Sequence, residues 1–364
     1  MDSDQTMLAV GLMSGTSADG VDAALIETDG VAVRRTGVAL IAPYPSALRR
    51  DVLDVMADAD RAEHDALTAL EAAVTAANAA AVRMLLGRAG LEAASIDVVG
   101  LHGQTVLHRP ERRFTRQLGD GAALHAALGI PVVNRFRDAD VASGGQGAPL
   151  VPLFHAALLR GQPGPVAVLN LGGVANLTYI DGDELLAFDT GPASALLDDW
   201  VAAHTGAAYD KDGAIAAAGR ADQSALAGLL AHEFFARPPP KSLDRNSFPL
   251  AAVAGLGLAD GAATLAAFTA QSVARAREHL PAAPRRWWVG GGGRRNPTLM
   301  ALLRAALGAP VDPVEALGWD GDALEAQAFG FLAVRSLRGL PLSLPGTTGV
   351  PHPMPGGAHH GAPA

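Results

Sequence analysis

Residues 11–27 read GLMSGTSADGVDAALIE. The apolar run MLAVGLM (7–13) leads into this stretch, and alternating apolar residues leave it. Between them lie Ser14, Gly15, Thr16, Ser17, Asp19 and Gly20. Two strands joined by a tight turn are the expected local structure. Such a turn exposes successive backbone N–H groups, and its glycines let them approach anion oxygens closely. Thr16 and Ser17 add hydroxyl donors. Asp19 and Asp22 are carboxylates that a hydrated Mg²⁺ could use. The lysine of a P-loop is missing. Gly, Ser and Asp are also ordinary hairpin residues, so the rest of the chain has to decide.

The chain has 364 residues, of which 49% are hydrophobic, enough for two domains with real cores. Lys+Arg number 28 against 37 Asp+Glu, a formal net charge of −9. That balance argues against nucleic acid as a partner, yet a few local donors can still hold a phosphate-bearing ligand. With no cysteine, disulfides, thiol catalysis and thiolate zinc sites are excluded. No secretory leader and no apolar run of membrane-crossing length is expected, which makes the cytoplasm the expected location.

Outward from the opening stretch, residues 7–41 read as three strands, with Asp29-Gly30 as a hairpin turn. Residues 46–90 read as helical, and IDVVGLHGQT as a buried strand ending at His102. RFRDADVASGGQGAPLVP, from residue 135, reads as a long irregular segment. Strands follow in VAVLNLGGVANLTYI and ELLAFDT, then helices, then the strand and turn of WWVGGGG. The tail from Pro345 is rich in Pro, Gly and His and is expected to be loose, with solvated His352, His359 and His360. Strands, helices, strands, helices fit two α/β lobes better than one doubly wound sheet.

Four further stretches carry chemistry-bearing residues. LNLGGVANLTYI repeats the strand–turn–strand theme, with Asn170 and Asn176 flanking Gly172 and Gly173. In AFDTGPASALL, Asp189 ends a strand just before a helix; it is placed to act as a general base or, more plainly, to cap that helix. The helix start would offer N–H donors to an anion. Glycines 290–293, followed by Asn296 and Pro297, let a flat adenine or ribose lie on the backbone; this is not a dinucleotide fingerprint. His102, Gln104 and Thr105 are polar residues suited to sugar hydroxyls. Metal-ligand spacing is lacking around His102 and His108. Lys241, Ser242 and Arg245 mark a Pro-rich loop, and Glu325 a helix start.

As an ordered set, GLMSGTSADGVD, HGQTVLHRP, QLGDG, FRDADVASGGQGAPLVPLFH, LNLGGVANL, FDTGPAS, YDKDGAIAAAG, PKSLDRNSF, GGGGRRNPTLM and DGDALEAQAF resemble the anhydro-N-acetylmuramic acid kinase family of the sugar kinase/Hsp70/actin superfamily. The resemblance implies an α/β, two-lobed, ribonuclease H-like fold with a central ATP cleft. Its lobes are expected at 1–134 plus 343–364 and at 135–342. It implies hydrolytic opening of the 1,6-anhydro ring of an amino sugar and phosphorylation of O6 by ATP with Mg²⁺, in a homodimer. The family's ATP-binding turn falls on Gly15, Thr16, Ser17, Ala18, Asp19, Gly20, Val21 and Asp22, and its catalytic aspartate on Asp189. Asn170, Gly172, Gly173, Gly291, Gly292 and Asn296 are expected to complete the nucleotide site. His102, Gln104, Thr105, Arg137 and Glu325 are expected at the sugar; the metal ligands stay open. The chain departs from the family pattern at Ala18, Arg135, Ala193, Ser194, Leu243, Asp244 and Asn246. An amino-sugar kinase without ring opening, or a non-catalytic ATP-binding module, are the other readings, since one fold hosts many functions.

Overall fold

The computed structural model describes residues 5–243 and 247–361. Asp244, Arg245 and Asn246 lie outside the described residues. The chain divides into two compact units, Met1–Arg160 with Ala323–Ala364, and Gly161–Asp322.

The first unit holds β1 (Met7–Ser14), β2 (Gly20–Thr28), β3 (Val33–Pro43), β4 (Val98–Arg109), β5 (Phe114–Leu118), β6 (Val132–Asn134) and β12 (Ala358–His360). Its sheet runs β12-β6-β4-β1-β2-β3, with β5 paired to the far end of β4. β1, β2 and β3 form an antiparallel meander, while β4 is parallel to β1 and β6 to β4. The second unit holds β7 (Val166–Leu171), β8 (Val174–Asp181), β9 (Glu184–Pro192), β10 (Arg286–Gly290) and β11 (Val311–Pro313), in the order β11-β10-β7-β8-β9. Here too the first three strands are an antiparallel meander, followed by two parallel additions. Each unit thus carries the same 3-2-1-4-5 order, with the second strand reversed. That is the ribonuclease H-like sheet implied by the resemblance, present twice without any visible sequence repeat.

The Asp29-Gly30 turn forms as expected. Asp29 Oδ1 accepts from Val31 N at 2.7 Å and Ala32 N at 2.6 Å, an Asx turn, and Gly30 takes φ +80°.

The unit boundaries fall at 160/161 and 322/323, away from the expected 134/135 and 342/343. The helix Leu324–Leu337 is the reason. It follows β11 in sequence but packs on the first sheet. A Cβ on Gly11 would sit 1.7 Å from Ala326 O, and one on Gly100 2.1 Å from Phe329 O. Glycine in β1 and β4 lets the helix backbone touch the sheet. Segment 135–160 is tied to the same unit by Asp140. Its buried carboxylate accepts from Gly147 N at 2.6 Å, Thr348 Oγ1 at 2.5 Å and Ser343 Oγ.

Two other expectations change, and one helix bears on a third. The segment from 135 is not irregular throughout, since Asp138–Ala142 and Pro152–Leu158 are short helices. The tail is not loose through residue 361: β12 pairs with β6, His360 Nε2 meets Asn134 Oδ1 at 3.0 Å, and His359 Nε2 meets Ser336 Oγ at 2.8 Å. The Pro/Gly/His composition hid a paired edge strand. Finally, Thr68–Ala89 is long and apolar enough in composition to cross a membrane. Its hydropathy rests largely on alanine, and it lays Val74, Val82, Leu85 and Leu86 into the first core, as a core helix does.

Candidate functional site

In the first unit, β1 and β2 deliver the turn. Ala18 takes a left-handed φ of +52° and donates its N–H to Gly15 O at 3.1 Å, closing the loop. Ala18 and Val21 are fully buried and anchor it in the core, while Thr16, Ser17 and Asp19 are exposed. The turn therefore faces outward with hydroxyls and backbone, while its apolar residues face in. Gly20 is required by β3, since a Cβ there would stand 2.3 Å from Ala42 O. Asp19 pairs with Arg49 at 3.1 Å, a partner the sequence did not suggest. Asp22 sits half-buried on β2 opposite Met13.

Gln104 lies in register with Ser14 on β4 and is fully buried. Its Nε2 donates to Gly15 O at 3.0 Å. Its Nε2 braces the turn, while its buried Oε1 has no partner among the described residues. Thr105, one residue on, is half-buried. His102 is buried, with Nδ1 against Gly103 O at 2.7 Å; its Nε2 accepts from Arg137 Nη2 at 2.9 Å and Nε at 3.1 Å. Burial first, and the Arg137 charge second, hold His102 well below the usual imidazole range. It is a neutral ring that orients a guanidinium. Arg137 also donates to Gly147 O at 2.5 Å. Burial lowers the guanidinium to about 10, against the favourable charges of Glu325 and Asp140. His102, Arg137 and Glu325 are thus gathered in one unit, from three distant parts of the sequence.

A polar cleft of about 360 Å³ opens beside them, lined among others by Glu71, His102, Gln117, Asp120, Asn134 and Arg135. Arg135, a departure from the family pattern, holds φ +56° and pairs with Asp138 at 2.6 Å. Nothing in the residue types of Glu71, Gln117 and Asn134 marked them beforehand; only β4–β5 pairing and the return of β6 assemble them.

In the second unit, Asn170, Asn176 and Asp189 stand directly opposite one another on β7, β8 and β9. Directly paired residues share a sheet face, so the three side chains form one row. Leu169, Leu177 and Phe188, each one position away, fill the core on the other face. A register shift between Ala175 and Asn176 leaves Thr190 as an extra residue beside Asp189; bulges of this kind re-aim a neighbouring side chain.

Asp189 does not cap the following helix, Ser194–Thr205, which has no side-chain cap. Nor is that helix start open to an anion: Ser194 N donates to Gly172 O at 3.0 Å and Ala195 N to Gly173 O at 3.3 Å. The Gly172-Gly173 turn is instead fastened to the helix by its carbonyls. Among the described residues, Asp189 Oδ2 accepts one hydrogen bond, from Leu243 N at 2.7 Å. Burial pushes its carboxyl up to about 7, the Leu243 bond opposing. A carboxylate titrating near neutrality is what a general base needs.

The glycine turn of residues 290–293 reaches the Asn170 end of the row. Gly291 has φ +73°, and a Cβ on it would lie 2.4 Å from Asn170 Oδ1. Gly292 is exposed with open space around it. Asn296 Oδ1 caps the helix Pro297–Leu307 by accepting from Leu299 N at 3.0 Å, so at least that oxygen is structural.

Comparison with known proteins gives the family. A family model described as anhydro-N-acetylmuramic acid kinase matches residues 7–361. A protein of that name from Rhizorhabdus wittichii is 55% identical over 361 residues, covering 97% of this chain and 99% of its own. One from Rhodospirillum rubrum is 54% identical over 360 residues, with 98% and 95% covered. One from Acidiphilium cryptum is 56% identical over 358 residues, with 96% and 97% covered. Match and identity run the length of both units, and the chain belongs to the anhydro-N-acetylmuramic acid kinase family.

Proposed function

We propose that the protein uses ATP and water to convert 1,6-anhydro-N-acetylmuramic acid into N-acetylmuramic acid 6-phosphate and ADP, with Asp189 as the general base. The observation that carries the reading is the state of Asp189: a carboxylate raised by burial to about 7 and held by one backbone N–H. In the proposed step Asp189 takes a proton from water as the water oxygen bonds to the anomeric carbon. The bond from that carbon to O6 breaks, through oxocarbenium-like charge of the kind met in glycoside cleavage. O6 bonds to the γ-phosphorus as the bond to the bridging oxygen breaks, releasing ADP. Phosphoryl transfer thus replaces the proton that a glycosidase acid supplies, and one carboxylate serves where a glycosidase needs two.

The outward-facing turn of Gly15, Thr16, Ser17, Ala18, Asp19, Gly20, Val21 and Asp22 is proposed to grip phosphate through backbone N–H groups and the Thr16 and Ser17 hydroxyls. Asn170, Gly172, Gly173, Gly291, Gly292 and Asn296 are proposed to receive the rest of the nucleotide. Asp19 and Asp22 would hold Mg²⁺; two carboxylates beside hydroxyls suit an ion that keeps waters and takes phosphate oxygens. That ion would neutralise charge on the transferring group. His102, Gln104, Thr105, Arg137 and Glu325 are proposed at the sugar, which the neighbouring polar cleft is roomy enough to admit. A homodimer in the cytoplasm belongs to the same reading.

A coupled ADP-release assay tests it. The expected result is turnover with the 1,6-anhydro sugar and little with N-acetylmuramic acid or N-acetylglucosamine. Turnover on a plain sugar alone would favour the kinase without ring opening; no sugar-stimulated turnover at all would favour the binding module. The pH profile is a second check. Because the base must be ionised, kcat/KM should fall tenfold per pH unit below about 7, the value to which burial raises Asp189. An acidic limb near pH 4 would remove Asp189 from this role.

A further inference from the structure

Asp189 is gripped by a segment that has no regular structure of its own. Residues 241–243 belong to neither strand nor helix, yet they hold Asp189 twice. Asp189 N donates to Lys241 O at 3.0 Å, and Leu243 N donates to the carboxylate at 2.7 Å. What fixes the segment is the Lys241 side chain. It is 9% exposed, unusual for lysine, and runs inward. Its Nζ donates to Phe234 O at 3.1 Å and Phe235 O at 3.4 Å, and stands 3.2 Å from His279 Nε2. It also lies 4.7 Å over the Phe234 ring. The two carbonyls belong to the short helix Glu233–Ala236, whose Phe234 and Phe235 sit in the core of the second unit.

We infer that Lys241 is a positioning residue for the reaction, pinning its own segment to the Phe234–Phe235 backbone so that Lys241 O and Leu243 N keep Asp189 aimed and hydrogen-bonded. Leu243 also packs against this core, but Lys241 is the more deeply buried, and a buried ammonium costs desolvation unless its hydrogen bonds are made. Burial, with the Arg237 and Arg275 charges, brings Lys241 down to about 8, while Glu278 favours its charge. Among the described residues, the Leu243 bond is the contact that favours the Asp189 carboxylate against burial. Losing the clamp therefore weakens that support.

The inference rests on Asp189 as the base. Its test is steady-state kinetics of Lys241→Met and Lys241→Arg across pH 5.5–9, with thermal melting alongside. Methionine keeps the packing over Phe234 but donates nothing. Expected for Lys241→Met is a kcat loss of about 10- to 100-fold, the scale of a misaimed catalytic group. KM for ATP should stay unchanged, and the acidic limb should move to higher pH. Lys241→Arg, which can still reach the carbonyls, should recover most of kcat and the wild-type limb. Should Lys241→Met fail to fold, Lys241→Leu takes its place with the same two readouts. Wild-type kcat with an unmoved limb in the folded neutral variant would overturn the inference. So would a kcat loss with an unmoved limb, since that marks a merely structural role. An inactive Asp189→Asn beside a wild-type-like Lys241→Met would sink this inference alone, whereas an active Asp189→Asn would sink the reading beneath it.

Discussion

Asp189→Asn should retain ATP binding and lose turnover by about 10³-fold, within the ~10²- to 10⁴-fold range of a general base. Asparagine is nearly isosteric, and its carbonyl oxygen can accept the Leu243 N–H that Asp189 Oδ2 accepts at 2.7 Å. The grip survives while the proton acceptor goes. The same change should raise the melting temperature at pH 8. Burial lifts the folded-state carboxyl to about 7 from its ordinary 3.8. A raised folded value means the group favours folding below about pH 4, and that contribution is lost as pH rises through about 7. At pH 8 the wild type bears the full cost of a buried carboxylate, and asparagine relieves it. Titration calorimetry with ATP, stopped-time ADP assays and melting at pH 5 and pH 8 check the three parts. Near-normal turnover would reassign the base.

Gly11→Val should cost at least about 3 kcal/mol, beyond the usual penalty of core overpacking. The reason is backbone against backbone. A Cβ on Gly11 would lie 1.7 Å from Ala326 O and 2.5 Å from Gly330 N, both in the helix Leu324–Leu337. No side-chain rotation relieves that, so the helix must lift from β1. With folding stabilities of about 5–15 kcal/mol in total, most of the protein should be lost to insolubility, or the midpoint of urea unfolding should drop sharply. Gly87→Ala is the matched control. Gly87 lies inside the helix Thr68–Ala89 with open space where a Cβ would go, and alanine there should gain up to about 1 kcal/mol. Equal stability of the two variants would contradict the packing described here.

The strand–turn–strand of the opening stretch was legible because its apolar alternation and its turn residues agree, and both are local. So was the turn at Asp29-Gly30. Less legible was anything built by return of the chain. Gly11 and Gly100 read as strand glycines of no evident purpose, because their reason is a helix more than 200 residues away. Asp140 reads as one acid in a DAD run, while its partners Ser343 and Thr348 lie in the tail. That Gln104 Nε2 braces Gly15 O follows from the β1–β4 register, which spacing alone does not give. The Asn170–Asn176–Asp189 row needed strand pairing that spacing alone does not give. That the Gly172 and Gly173 carbonyls hold the start of the next helix was likewise not to be read from spacing.

The central claim is that Asp189 activates water at the anomeric carbon while O6 takes the phosphoryl group. Turnover in H₂¹⁸O, with prompt mass spectrometry of the products, tests it most directly. The account predicts one ¹⁸O in the sugar of the sugar phosphate, at the anomeric hydroxyl, and none in its phosphate. Label in released inorganic phosphate with the anhydro sugar unchanged, or a sugar phosphate without label, would contradict it.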